Sequence, residues 1–218
     1  MKPVLQSSVI VSLLFLVFLV PGCNRHASEF RKADEAIAQT RSWRMIVSTP
    51  NIVKLRMEAI PPDRAYVWQE RMLQGSLVHF EYIRIGENHY IRGDDVTPQL
   101  APDWVPVASN KVFFEVGAGL QFRMNDVFQR KISTNIADLF DLSDLLDLGV
   151  TTYAGHSCRE WAGTRIGSDN LSRHRDTVCL GIVDHLPYHV YLDDTKFDAQ
   201  YEWNPELSID TPAVNALR

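Results

Sequence analysis

The sequence predicts an α+β protein in which one large curved antiparallel sheet, of about nine to eleven strands, is covered on its concave face by two or three helices. Three observations support this fold class. Short runs of alternating apolar and polar residues follow one another with turn residues between them, as in an antiparallel meander. Two segments instead carry apolar residues at helical spacing. No internal repeat, charge block or linker divides the 218 residues into separate domains.

The N-terminal segment has the features of a secretory signal peptide. Lys2 supplies a positive charge, and residues 9–20 are apolar apart from Ser12. This apolar run is too short for a comfortable transmembrane helix, which needs about 20 residues. We therefore expect residues 1–22 to be a signal peptide that exports the chain into an oxidising envelope compartment.

Residues 20–23, with the sequence VPGC, resemble the lipobox of bacterial lipoproteins, in which a cysteine becomes the lipidated N-terminus. The resemblance implies an acylated Cys23, with palmitate among the expected acyl groups. Residues 23–27 would form a lipidated tether, and residues 28–218 a single domain. Asn24 stands where Asp favours inner-membrane retention in Gram-negative lipoproteins, so the outer membrane is favoured if the host has one. The alternatives are an uncleaved anchor helix and ordinary signal cleavage with Cys23 left as a thiol.

The first element of the domain is a predicted helix over residues 28–43. Its apolar residues Phe30, Ala33 and Ile37 follow i, i+3, i+7 spacing, and Ser28 is suited to cap the N-terminus. Alternation of period two then predicts strands over residues 43–48, 53–59, 64–72, 77–85, 89–92, 150–161, 177–184, 188–192 and 197–203. Residues 94–106 are expected as a loop, residues 111–116 as a strand or the start of a helix, and the segment near Ile209 as a short terminal edge.

Residues 133–148 form the second predicted helix, and Gly149 is its expected C-terminal stop. One broad apolar stripe contains Ile136, Leu139, Phe140, Leu142, Leu145 and Leu146. Outside the stripe lie Asp138, Asp141, Asp144 and Asp147. Because helical spacing spreads these four carboxylates around the surface, we interpret them as a solvated face rather than a cation site.

Cys158 and Cys179 are the cysteines that remain if Cys23 carries lipid. An even pair in an oxidising compartment is most simply a disulfide, here between two neighbouring strands. Two alternatives use the same residues: a zinc site completed by His156 and His174, or a Cys–His nucleophile. Neither a CxxC motif nor a helical HxxxH pair supports zinc, and no third orienting group supports a nucleophile. We therefore expect no metal, no cofactor and no catalytic residue.

Aromatic residues recur on the predicted strands and on the second helix. If the helices cover the sheet incompletely, an apolar cavity remains, and such a cavity is the usual setting of a small-molecule site. The candidates for its lining are Trp43, Tyr66, Trp68, Phe80, Tyr82, Phe140, Tyr191 and Trp203. The alternative is that these side chains only fill the core.

Several short motifs occur in a characteristic order along the chain. They are residues 42–45 (SWRM), 62–64 (PDR), 83–86 (IRIG), 184–190 (DHLPYHV), 201–205 (YEWNP) and 209–212 (IDTP). With these motifs in this order, the chain resembles the LolA/LolB-like lipoprotein-carrier superfamily and its outer-membrane lipoprotein-sorting relatives. The resemblance covers about residue 28 to residue 212. The resemblance implies an incomplete β-barrel with helices packed across its mouth. It also implies a cavity that takes acyl chains, and no enzymatic activity.

The charge balance bears on possible partners. With 22 Lys and Arg against 27 Asp and Glu, the net charge is −5, so no basic surplus indicates nucleic-acid binding.

The leading prediction is a membrane-anchored cell-envelope lipoprotein, facing the periplasm or the exterior, that binds an acyl chain, a lipoprotein or another apolar ligand. The alternative is a structural or interaction lipoprotein with a filled core. The third hypothesis is a zinc- or cysteine-dependent enzyme.

Overall fold

The computed structural model describes residues 23–50, 52–94, 103–108, 113–115, 121–123, 144–166 and 173–214. In these residues one helix, α1 (Cys23–Ala38), precedes thirteen strands. The strands are β1 (Trp43–Thr49), β2 (Ile52–Ile60), β3 (Arg64–Leu73), β4 (Ser76–Ile85), β5 (Asn88–Gly93), β6 (Val105–Val107), β7 (Phe113–Glu115), β8 (Gln121–Arg123), β9 (Leu146–Tyr153), β10 (His156–Ile166), β11 (Arg173–Gly181), β12 (Pro187–Leu192) and β13 (Phe197–Trp203). The described part of the chain thus has one helix, where the sequence predicted two or three.

Eleven of the strands form one open sheet, in the order β6-β5-β4-β3-β2-β1-β13-β12-β11-β10-β9. All of its strand pairs are antiparallel, as the alternating sequence pattern predicted. The edges are β6 and β9, while β7 and β8 form a separate hairpin. Near the middle of the sheet β1 pairs with β13, so the first and last strands of the chain are neighbours.

The strand register sorts the side chains onto two faces, because residues paired across a ladder point the same way. The row through the middle of one face carries no charge and consists of Tyr201, Met45, Met57, Val67, Tyr82 and Ile91. We call this the inner face, because α1 packs against it. An adjacent row on the other face, the outer face, consists of Glu202, Arg44, Glu58, Tyr66, Ile83 and Tyr90.

Helix α1 begins at Cys23, so residues 23–27, expected as a tether, are part of the helix. Its buried side chains are Phe30, Ala33 and Ile37, the three residues whose spacing predicted the helix. The chain leaves the helix after Ala38 and enters β1 at Trp43, so the helix is shorter at its C-terminal end than the predicted 28–43. No helix among the described residues has both the length and the apolar character needed to cross a membrane.

The end of the second predicted helix is a strand in the structure. Residues 133–143 of that prediction lie outside the described residues, but β9 already begins at Leu146. Leu146, Leu148 and Val150 also alternate with period two, and pairing with β10 gives their backbone groups a ladder of hydrogen bonds. Gly149, the expected helix stop, instead has φ of +99° at an irregularity in the pairing of β9 with β10.

The segment after β13 crosses the outer face as an irregular strap, not as the predicted edge strand. The Ser42 hydroxyl donates a hydrogen bond to the Pro205 carbonyl over 2.6 Å. The guanidinium of Arg64 donates to the Ile209 carbonyl over 3.1 Å, and the Ile209 side chain is buried. These contacts fix the strap against the N-terminal half of the sheet.

Candidate functional site

The inner face of the sheet is a broad apolar layer. Its buried side chains come from eight strands and include Met45, Val47, Leu55, Met57, Val67, Tyr82, Trp161, Val178, Val190 and Ala199. Among the described residues, α1 is the helix that packs on this layer. Partly exposed apolar side chains extend the layer beyond its buried part, and they include Phe80, Ile91, Tyr201 and Trp203. A wide apolar layer with an accessible margin is a suitable surface for an apolar ligand.

The structure divides the aromatic cavity candidates between the two faces. Those on the inner face are Trp43, Phe80, Tyr82 and Trp203. Those on the outer face are Tyr66, Trp68 and Tyr191. Phe140 lies outside the described residues. The inner four stay candidates for a ligand-binding surface, whereas the outer three point away from the layer on which α1 packs.

Charged side chains explain why aromatic rings are stable on the outer face. The Arg56 guanidinium lies 5.4 Å from the Tyr66 ring centre, and Lys54 Nζ lies 5.8 Å from the Trp68 ring centre. The Tyr66 hydroxyl donates a hydrogen bond to Glu81 Oε2 over 2.8 Å. Burial, and next the hydrogen bond to this carboxylate, raise the pKa of Tyr66 to about 12. Tyr66 and Trp68 therefore have polar partners of their own on the outer face.

A cleft of about 320 Å³ opens in this outer charged region, beside the C-terminal strap. Its two most buried carboxylates are already paired, Glu81 with Arg92 Nη2 over 2.7 Å and Glu58 with Arg44 Nε over 2.7 Å. Because each already has a cationic partner, these carboxylates attract a further cation only weakly. The inner face is accordingly the better candidate for the site.

A hydrogen-bonded pair, Tyr82 and His89, is among the buried polar groups of the inner face. The Tyr82 hydroxyl and His89 Nδ1 lie 2.7 Å apart, and both residues are buried. Burial, and next the positive charge of Arg84, lower the pKa of His89, so the imidazole is neutral in the folded protein near pH 7. Burial also raises the pKa of Tyr82. The two neutral groups hydrogen-bond to each other. Neither therefore leaves an unpaired polar atom or a charge among the apolar side chains.

A second cleft, of about 400 Å³, lies where the first turns of α1 meet β10 and β11. We call it the helix cleft, and it is lined by His26, Glu29, Asp147, Arg159, Trp161, Leu180, Gly181, Ile182 and His185. Trp161 is buried and forms its apolar wall, with the rings of Phe30 and His26 edge-on to it at 6.1 Å and 5.0 Å. His26 Nδ1 is buried and has no hydrogen-bond partner within the described ranges.

One histidine–carboxylate contact and one ion pair form the rim of the helix cleft. His185 Nδ1 lies 3.3 Å from Glu29 Oε2, and Arg159 Nη1 lies 2.7 Å from Asp147 Oδ2. The hydrogen bond from Lys32, with smaller contributions from the charges of Lys32, His185 and Arg159, lowers the pKa of Glu29. The cleft thus combines an apolar base with a charged rim, an arrangement suited to an amphipathic molecule.

Sequence reasoning did not identify the rim of the helix cleft. Glu29 and His185 are 156 positions apart, and no local motif connects residues at that separation. The one local sign was the turn sequence around His185, which follows a predicted strand and precedes Pro187. His185 has φ of +59°, a conformation that L-residues adopt rarely and that here turns the side chain toward α1.

A disulfide joins Cys158 of β10 to Cys179 of β11, with a Cα–Cα distance of 5.5 Å. Both cysteines are buried. The disulfide removes both thiolates from the zinc and nucleophile alternatives. The described ranges contain no cluster of three or more side chains placed to hold a metal ion.

No protein-family model and no curated protein matches the sequence. Solved structures match it in fold. The lipoprotein LppX of Mycobacterium tuberculosis has a TM-score of 0.54 and 15% identity, over 86% of this chain and 99% of LppX. LprF of Mycobacterium bovis has a TM-score of 0.60 and 11% identity, over 87% of this chain and 98% of LprF. The chain therefore has the fold of LppX and LprF.

The predicted resemblance is therefore confirmed for the fold. A LolA-superfamily protein of Nitrosomonas europaea is also similar, more loosely, with a TM-score of 0.30 and 10% identity over 84% of this chain and 94% of that protein. At such low identities the likeness to LppX and LprF is one of chain path and architecture. What this chain binds has to be argued from its own residues.

Proposed function

We propose that the protein is a cell-envelope lipoprotein, anchored through acylated Cys23, that binds an acyl chain or another apolar ligand against the inner face of its open sheet. The body would face the periplasm or the exterior, and the anchor would lie in the outer membrane if the host has one. The role is that of a binding or carrier protein, not of an enzyme. One observation carries the proposal, namely the apolar inner layer that extends far beyond the helix described on it.

Simple dimensions support this reading. Eleven strands at about 4.8 Å spacing make a sheet on the order of 50 Å across. A helix of 16 residues is about 24 Å long and about 10 Å wide, so α1 covers a minor part of that width. Phe80 and Ile91 lie on the inner face toward the β6 edge and stay partly exposed. These side chains are available to an apolar ligand.

The helix cleft supplies the polar end that a lipid ligand needs. Trp161 and Leu180 line the cleft and also belong to the inner layer, so the cleft is continuous with the apolar surface. An acyl chain on the inner layer would place its head group among the charged rim residues. The unpartnered His26 Nδ1 would then gain a hydrogen-bond partner from the head group.

Native mass spectrometry tests the ligand. Residues 24–218 would be exported to an oxidising periplasm, purified without detergent and compared before and after extraction with organic solvent. We expect an extra mass in the lipid range that extraction removes and that added fatty acid restores. A protein of bare mass that takes up no fatty acid would contradict the proposal and favour an interaction lipoprotein with a filled core.

The anchor is tested separately on the full chain. The mass of the membrane-extracted protein should show acyl groups on Cys23, and Cys23→Ser should lose both the acyl mass and the membrane fraction. A wild-type protein that carries no acyl group would contradict the anchor without bearing on the ligand.

A further inference from the structure

The turn between β11 and β12 presents two branched apolar side chains to solvent. Val183 is 92% exposed, the highest value among the large apolar side chains of the described residues, and its neighbour Ile182 is 44% exposed. A single exposed apolar residue is ordinary on a protein surface. Two adjacent ones at the tip of a turn form a small apolar projection. We call residues 182–184 the apolar turn.

Hydrogen bonds on both sides of Val183 define the shape of the apolar turn. The Gly181 N–H donates to the Leu186 carbonyl over 2.8 Å, and the His185 N–H donates to the Gly181 carbonyl over 3.0 Å. Asp184 Oδ1 accepts from the Leu186 N–H, and Asp184 Oδ2 accepts from the Tyr188 hydroxyl. The projection is thus a fixed part of the surface.

The apolar turn lies beside the start of α1. His185, the residue after the turn, has its Nδ1 3.3 Å from Glu29 Oε2. The helix begins at Cys23, six residues before Glu29, which is about 9 Å along the helix axis. A lipid on Cys23 would therefore hold this end of the molecule at the bilayer, with no flexible tether between the anchor and the fold.

We propose that the apolar turn is the membrane-contacting element of this protein, and that Val183 and Ile182 enter the boundary between head groups and acyl chains when Cys23 is anchored. This inference rests on the proposed anchor. The helix cleft includes Ile182 and His185 in its lining, so the same contact would open the cleft toward the bilayer. A lipid could then pass between the membrane and the inner layer without crossing bulk water.

A second apolar projection, the β3–β4 hairpin tip, gives a matched control. Met72 and Leu77 are 52% and 54% exposed at this tip. The tip lies at the end of the sheet where β1 and β12 finish, whereas the apolar turn lies at the end where β12 begins. One molecule held close to a flat bilayer by α1 cannot place both projections in it.

The test uses the full-length, membrane-processed protein with Val183→Cys or Leu77→Cys, each labelled with the fluorophore NBD. The native Cys158 and Cys179 are in a buried disulfide and stay unlabelled. Each protein is reconstituted into phosphatidylcholine vesicles with and without lipids that carry a shallow nitroxide quencher. We expect the label at position 183 to shift to shorter wavelength and to be strongly quenched, and the label at position 77 to keep its aqueous spectrum.

Two results would overturn the inference: quenching at position 77 in place of position 183, or an aqueous spectrum at both positions. Salt distinguishes the mode of contact, because an apolar contact with a neutral bilayer should persist at high ionic strength. A further variant, Val183→Ser with Ile182→Ser in the acylated chain, should weaken vesicle binding by about tenfold. Leu77→Ser should leave that binding unchanged.

The same samples separate this inference from the proposed function. Acyl mass on Cys23 and binding of fatty acid in solution are measured on every variant. If the label at position 183 is quenched but no fatty acid binds, the membrane contact stands and the ligand proposal fails. If fatty acid binds but position 183 stays aqueous, the ligand proposal stands and the membrane contact fails. If Cys23 carries no acyl group, the anchor and the inference fail together.

Discussion

Cys158 and Cys179 form a disulfide without lying directly opposite each other in the β10–β11 ladder. Cys158 pairs with Gly181, and Cys179 pairs with Glu160, so the disulfide runs diagonally between the strands. The two cysteines are 21 positions apart, so the disulfide closes a covalent loop that contains most of β10 and β11. The disulfide itself lies near the helix cleft.

Removal of this disulfide should destabilise the fold. For a loop of this length, the chain-entropy model gives a loss of about 3 kcal/mol in the free energy of unfolding for Cys158→Ala with Cys179→Ala. Urea unfolding with and without reductant checks the value. The wild type should lose stability when reduced, and the double variant should not respond. Identical wild-type midpoints in both conditions would show that the disulfide does not form or does not stabilise the protein.

Truncation of Phe80 should weaken ligand binding, whereas truncation of Trp68 should not. Both side chains are partly exposed, but Phe80 lies on the inner face and Trp68 on the outer face. Loss of part of one aromatic contact corresponds to roughly 1 kcal/mol, so Phe80→Ala should lower the affinity for a fluorescent fatty acid about fivefold. Equal losses for Phe80→Ala and Trp68→Ala would place the ligand elsewhere.

His89 should make the protein less stable in mild acid. Its pKa is lowered in the folded state by burial and Arg84, with Glu87 acting weakly in the opposite direction. The unfolded chain therefore binds a proton more readily, and the free energy of unfolding falls as pH drops below about 6.5. His89→Gln, which keeps a partner for Tyr82, should reduce this loss. Urea midpoints at about pH 7.5 and pH 5.5 measure it. An unchanged pH dependence in the variant would assign the effect to other groups.

A methyl group at Gly181 should disturb the apolar turn. A Cβ there would collide with the side chains of Asp184 and Tyr188, which hydrogen-bond to each other. We expect Gly181→Ala to cost about 1–3 kcal/mol of stability. Gly75→Ala is the control, because its Cβ would meet open space and only the positive φ of +84° opposes it, at about 1 kcal/mol. A smaller loss for Gly181→Ala than for Gly75→Ala would contradict the packing described here.

Alternation in the sequence predicted most of the sheet, because antiparallel strands with one apolar face leave a period-two pattern. The pattern could not tell which face of a strand is the inner one. In β3 the larger apolar side chains, Tyr66 and Trp68, lie on the outer face, and the smaller Ala65 and Val67 lie on the inner one. Side-chain size alone would place Tyr66 and Trp68 on the inner face. Only the register between strands determines which face each side chain occupies.

The segment at residues 144–150 shows a second limit of the sequence pattern. Leu145 and Leu146 fit a helical stripe, and Leu146, Leu148 and Val150 fit a strand equally well. Pairing with β10, the next strand along the chain, settles the conformation. The helix cleft also could not be predicted from a local pattern, because its rim brings together residues of α1, β9, β10 and the turn after β11.

The pairing of β1 with β13 has a consequence for how the chain is made. The half of the sheet from β1 to β6 and the half from β9 to β13 are joined edge to edge by that one ladder. A chain that emerges N-terminus first can complete its early half, yet β1 keeps an open hydrogen-bonding edge until the last strand arrives. The β1–β13 ladder therefore consists of contacts between residues that are very far apart in the sequence, and such contacts are the slowest to form. We expect that unpaired edge to be the part of the early half most prone to pair with other chains.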